Sequence, residues 1–123
     1  MPPPAPLRLT QAMRVKQGRE FQLAKTRGQR LVRGCLIANW VPLPAGSLPR
    51  LGVITSSKLG NAVIRSRARR LLREVFRLHQ HELREPLLLI LIARNSIVGK
   101  ALSAVERDYL AVLRQAGLGK TNA

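Results

Sequence analysis

The chain is poor in the groups from which protein active sites are usually built. Only six Asp and Glu residues are spread over 123 positions, too few for a metal-dependent nuclease site, which gathers several carboxylates around Mg2+. A single cysteine, Cys35, excludes an internal disulfide framework and leaves too few ligands for a cysteine zinc site. It reads as a small core or sheet residue in a reducing, cytoplasmic setting. His79 and His81 have no Cys or acidic cluster at ligand spacing, so no metal is assigned to the protein. There is no phosphate-cradling glycine loop ending in Lys-Ser/Thr, no nucleophile elbow and no convincing pair of carboxylates. On this reading the protein carries no catalytic residue of its own and no small-molecule substrate site.

Long hydrophobic runs are missing too. Leu87 to Ala93 is the longest and is the size of a strand, well short of the ~18–20 apolar residues that span a bilayer, so no membrane partner is expected. The opening Met1 to Pro6 is proline-rich with no charged segment before an apolar core, and does not read as a secretory signal. Aromatic residues make up only 3% of the chain.

What the sequence has is positive charge. Lys and Arg number 22, the net charge is +16 and the pI is near 12.0, values that call for a polyanionic partner, nucleic acid first. The hydrophobic fraction of 46% excludes a disordered basic tail and fits one modest folded domain.

The charge is concentrated in Lys58 to Arg77, KLGNAVIRSRARRLLREVFR. Lys58, Arg65, Arg67, Arg69, Arg70, Arg73 and Arg77 stand there against Glu74 alone. Between them Ile64, Ala68, Leu71, Leu72, Val75 and Phe76 recur at intervals of three and four, one stripe of a helix that can bury against a sheet. Asn61 is the expected N-cap, because its side chain can accept a hydrogen bond from a first-turn N–H. A solvated helix face ordinarily mixes signs. Here cations oppose the dipole at the helix start and repel one another four residues apart. A phosphate relieves both, so this face is expected to contact nucleic acid.

The remaining elements follow in order. Met1 to Leu9 has four prolines and reads as an extended arm. A first helix is predicted from Thr10 to near Gly28, weakened at Gly18; eight basic residues and one acid between Arg8 and Arg33 give it a second positive surface. Gln29 to Val41 reads as two strands joined at Gly34, and Pro42, Pro44, Gly46 and Pro49 mark a loop. Arg50 to Ser56 is a third strand and Lys58 to about His81 the basic helix. Leu87 to Ala93 is the central strand, apolar throughout and so covered on both faces. Ser103-Ala-Val-Glu106 reads as a capping box that starts a last helix, ending at Gly117. Tyr109 is expected at the core edge. The fold class is α+β, a single-domain α/β sandwich in the order α-β-β-β-α-β-α, with a four-stranded mixed sheet and helices packed on it.

The run Ser56-Ser57-Lys58, Gly60-Asn61-Ala62-Val63, Arg65-Ser66-Arg67, Arg69-Arg70 and Arg73-Glu74 resembles the signature of the bacterial ribonuclease P protein component. That family shows Ser-Lys-Lys, Gly-Asn-Ala-Val, Arg-Asn-Arg, then Lys/Arg-Arg and Arg-Glu. The likeness continues through Phe21, Gly28, Arg50, Gly52 and Leu88 to Arg94, covering roughly Leu9 to Leu118. It implies a family domain over residues 10–118, between a flexible arm at 1–9 and a flexible tail at 119–123. It also implies a left-handed β-α-β crossover through the Arg-rich helix, of the kind seen in the second domain of a small-subunit ribosomal protein, although about 98% of such connections are right-handed.

In that family a small basic protein pairs with a catalytic RNA, and the ribonucleoprotein cleaves the 5′ leader from precursor tRNA. The resemblance implies that Lys58, Asn61, Arg65, Arg67, Arg69, Arg70 and Arg73 dock on the catalytic RNA. It further implies a leader cleft between the first helix and the sheet, with Phe21, Lys25, Leu36, Trp40 and Arg14, and Mg2+ held mainly by the partner RNA. Ser66 departs from the motif's Asn and loses an amide. Ser57 removes one lysine, and Lys25 and Leu36 stand where the family often has rings, shifting leader binding from stacking toward charge. A structural RNA-binding protein, such as a ribosomal protein, is the alternative reading of the same basic face.

Overall fold

A computed structural model of the chain describes residues 7–16 and 18–120. Its elements are α1 (Gly18–Arg27), β1 (Gln29–Arg33), β2 (Leu36–Pro42), β3 (Arg50–Ile54), α2 (Ala62–His79), β4 (Leu87–Ala93) and α3 (Leu102–Ala116), with short 3-10 turns between some of them. The α-β-β-β-α-β-α order and the mixed four-stranded sheet agree with the sequence reading. The sheet order is β1-β2-β4-β3. Every pairing is antiparallel except β3 with β4, a parallel pair that needs a crossover, which α2 supplies.

β4 is apolar at every position because each of its faces meets a different layer. Leu87, Leu89, Leu91 and Ala93 join the larger core, with Leu36, Ala38 and Trp40 of β2 and the buried sides of α2 and α3. Leu88 and Ile90 point the other way, toward Val15, Phe21 and Ala24. Thus α2 and α3 cover one face of the sheet and α1 covers part of the other.

The stripe of α2 is buried as expected: Ala68, Leu72, Val75 and Phe76 are inside, and Ile64 and Leu71 pack against them. Each large side chain of this kind contributes about 1.5–3 kcal/mol by leaving water. The helix starts where the cap allows, with Asn61 Oδ1 accepting from the Ile64 amide at 3.0 Å. Lys58 lies ahead of it in a separate turn, Ser57–Leu59, capped by Ser56.

Three local expectations are overturned by tertiary contacts. The helix expected from Thr10 begins only at Gly18. Upstream, Gln11–Met13 form a 3-10 turn and Arg14 bridges Leu51 of β3 in parallel, with the Val15 amide donating to the Leu51 carbonyl at 2.8 Å. An edge strand offers unpaired backbone groups, and pairing with β3 wins over a helix already weakened at Gly18. Second, the capping box does not form. Ala101 caps α3 without a side-chain hydrogen bond, and Glu106 instead accepts from His79 Nε2 at 2.7 Å. Third, Tyr109 is fully buried rather than at the core edge.

At the C-terminal end, the Lys120 amide donates to the Glu82 carbonyl and Gly119 bridges Leu83. At the other end Leu9 packs on the core, while the Leu7 and Arg8 carbonyls accept from Arg77 and Gln80. Residues 1–6 of the expected arm and 121–123 of the expected tail lie outside the described residues.

Candidate nucleic-acid interface

Burial of one side of α2 leaves its basic residues on the others, where local hydrogen bonds set their directions. Arg69 donates to Thr55 Oγ1 at 2.8 Å and to Ser66 Oγ at 3.2 Å. The serine that replaces the motif's asparagine therefore still orients a neighbouring guanidinium. Arg67 leaves by another side, donating to the Lys100 carbonyl in the turn before α3 at 2.9 Å. Arg65 makes only a long contact, 3.5 Å, to the Asn61 carbonyl. Lys58 and Arg70 are exposed. Glu74, the one acid of the stretch, is held by Arg77 at 2.7 and 2.9 Å, and that bond keeps its carboxyl below the usual range. A depression of about 500 Å³ follows, lined by Arg14, Ser66, Arg69, Arg70, Arg73 and Arg77 with Leu9 and Glu74. Among the residues expected to dock RNA, Arg69, Arg70 and Arg73 come together, Arg67 stands apart, and Asn61 serves as the cap.

On the opposite face of the sheet Phe21 of α1 packs on β3 and β4. Its ring lies over Gly52, where an added Cβ would sit 2.7 Å from Phe21 Cε1 and 2.8 Å from Ile90 Cδ1; only glycine lets ring and strand approach so closely. Glu20 binds Arg50 at 3.0 Å, and Arg50 also donates to the Arg14 carbonyl at 3.3 Å, fixing α1 to β3. Lys25 is exposed on α1.

Leu36 and Trp40 do not lie on this face. Both are buried in the core beneath α2 and α3, because their parity in β2 points them to that face. The α1 side of β2 carries Ile37, Asn39 and Val41, opposite Ile92, Ile90 and Leu88. Asn39 is 5% exposed and its Oδ1 has no hydrogen-bond partner. Beyond α1 the sheet is only partly covered: Val32 is 46% exposed, while Ile37 and Ile92 are half-buried. Lys16, Lys25 and Arg30 are exposed around this side. Of these β2 residues only Asn39, polar inside an otherwise apolar strand, stands out in the sequence.

Cys35 is buried. Burial, then its hydrogen bond with Asp108, pushes the thiol up to about 12, so it stays a protonated, inert residue. Among the described residues, no group of three or more His, Cys, Asp or Glu is placed to hold a metal ion, and no helix is long and apolar enough to cross a membrane.

The ribonuclease P family model matches residues 9–117, both surfaces included. The chain belongs to the ribonuclease P protein family. The ribonuclease P protein component of Syntrophomonas wolfei is 34% identical over 94% of this chain and 96% of its own. The solved ribonuclease P protein of Staphylococcus aureus shares the fold with a TM-score of 0.80 and 26% identity, covering 89% of this chain and 100% of that one. The Thermotoga maritima ribonuclease P protein is alike in fold, with a TM-score of 0.73, 22% identity and coverage of 83% of this chain and 96% of that one. As in those ribonuclease P proteins, the architecture is α+β with a mixed four-stranded sheet.

Proposed function

We propose that this chain is the protein subunit of a ribonuclease P holoenzyme, promoting endonucleolytic removal of the 5′ leader from precursor tRNA in the cytoplasm. The observation that carries this reading is the placement of two unlike surfaces on opposite layers: the arginine face of α2 on one, Phe21 and the partly covered sheet face on the other. Two nucleic-acid segments can then be held at once. Arginine forks grip phosphate oxygens bidentately, and folded RNA is recognised largely through shape and backbone, which suits α2 to the catalytic RNA. A partly uncovered apolar sheet face with one ring beside it and exposed cations around it suits a single strand such as the leader.

The donor set does not fit a protein-bound Mg2+. Glu20, Glu74, Glu82 and Glu106 are each engaged with a cationic or imidazole partner, Asp108 accepts from the Cys35 amide, and Glu85, the sixth acid, joins no group of three that could hold a metal among the described residues. Mg2+ is therefore assigned to the partner RNA, and no step at the protein runs through it. The protein binds and orients; the cleavage belongs to the RNA.

The test is leader dependence. With a bacterial catalytic RNA, the wild-type chain is expected to tighten binding of a leader-bearing precursor tRNA over the leaderless form. Phe21→Ala should reduce that advantage by at least about 5-fold, the low end of a base–aromatic stack, and leave leaderless tRNA unaffected. Equal tightening of both substrates by the wild-type chain contradicts leader binding and favours a purely structural RNA-binding role.

A further inference from the structure

Arg14 falls among the leader-binding residues by sequence, yet its side chain lines the arginine depression of α2 together with Arg69 and Arg73. The cause is backbone geometry. Arg14 adds to the outer edge of β3 through its bridge to Leu51, which brings the N-terminal segment beside α2, and a second hollow is shared by Arg14 and Arg73 next to Lys16 and Leu51.

This corner has cations without counter-charges. Among the described residues no carboxylate lies within ion-pair distance of Arg14, Arg69 or Arg73; Glu74 is taken by Arg77 and Glu20 by Arg50. Arg14 Nε is shielded from solvent and has no hydrogen-bond partner among the described residues. Burial pushes the Arg73 guanidinium down from its ordinary value, and its neighbours Arg14 and Arg69 push it further. Arg69 is already aimed by Thr55 and Ser66, so part of the ordering needed to bind is complete before binding.

We propose that Arg14, Arg69 and Arg73 form a seat for one backbone phosphate of the catalytic RNA, at the junction between the N-terminal segment and α2. The inference rests on the proposed role of α2 as the catalytic-RNA surface, and it moves Arg14 from the leader cleft to that surface. A tetrahedral oxyanion in the depression neutralises three guanidiniums that otherwise repel. The phosphate comes from the catalytic RNA rather than the leader because Ser66 and Arg70, on the outer side of α2, complete the wall.

The experiment is a double-mutant cycle on the full-length chain, measuring affinity for the catalytic RNA across a salt series, with thermal melts confirming that each variant folds. Arg14→Gln and Arg73→Gln should each lower affinity about 4-fold at 0.15 M salt and flatten the salt slope by about 0.7, the value of one phosphate contact. Because both grip the same phosphate, the double variant should lose well under the roughly 16-fold product and about one contact's worth of slope, not two. Full additivity of loss and slope shows two separate contacts and overturns the single seat. A leader advantage that falls in Arg14→Gln, with affinity for the catalytic RNA unchanged, returns Arg14 to the leader cleft. If the wild-type chain itself fails to bind the catalytic RNA, the reading of α2 fails and the seat with it. Wild-type binding with both variants silent sinks the seat alone.

Discussion

At the residue scale, the least expected arrangement is His79 at the end of α2. Its Nδ1 pairs with Glu82 and its Nε2 with Glu106 of α3, and its ring lies 6.4 Å from that of Tyr109. Burial lowers its pKa, but the hydrogen bonds to Glu82 and Glu106 outweigh burial and raise it above 6.5. A folded-state pKa above the unfolded one stabilises fully below about pH 6.5, and the benefit is lost as pH rises through the raised value. Glu82 and Glu106 are 48% and 34% exposed, so solvent trims the gain of charged hydrogen bonds to about 1–2 kcal/mol. His79→Gln should be less stable than wild type by that amount at pH 6 and close to it at pH 9, as urea titrations at the two pH values can show. Ser103→Ala should fall within about 0.5 kcal/mol of wild type, since its hydroxyl caps nothing. A loss near 1 kcal/mol at Ser103 would instead indicate a working N-cap. The sequence could not reveal this: Ser103 and Glu106 have ideal local spacing, and only the docking of α2 on α3 shows that the carboxylate is used elsewhere.

At the element scale, the position of α1 depends on a missing side chain. Gly52→Ala puts a methyl group into the Phe21 ring and the Ile90 side chain, and crowding of this sort costs about 1–3 kcal/mol. The expected result is a loss of stability in that range together with a weakened leader advantage, because the displaced ring belongs to the proposed leader surface. Unchanged stability and leader binding would show that Phe21 does not sit on β3. Elements with one strong pattern were legible. The stripe of α2 from Ile64 to Phe76 has a single solution, and Leu87 to Ala93 could only be central. β2 was not so determined: Leu36, Ala38 and Trp40 on one face and Ile37 and Val41 on the other are comparably apolar, so composition does not choose the face, and a one-position error in parity exchanges the core face for the α1 face. Leu36 and Trp40, which the resemblance placed in the leader cleft, point to the core face and lie beneath α2 and α3. α1 was misread for a related reason, since the competing partner of Arg14, the edge of β3, is distant in sequence.

For the whole molecule, a net charge of +16 on 123 residues works against compactness, and the hydrophobic layers on both faces of β4 must overcome it. A polyanion partner turns that liability into affinity, while the few acids are largely paired: Glu20 joins α1 to Arg50 of β3, Glu106 joins α3 to His79 of α2, and Glu74 pairs with Arg77 within α2. The proposed function has the chain bind RNA on two sides and leaves the chemistry to another molecule. The most direct test is cleavage of a leader-bearing precursor tRNA at near-physiological salt and Mg2+ by three preparations: a bacterial catalytic RNA alone, this protein alone, and the two together. Efficient cutting at the mature 5′ end by the mixture, with none by the protein alone and little by the RNA, is the predicted result. Cutting by the protein alone, or a mixture no better than the RNA, contradicts it.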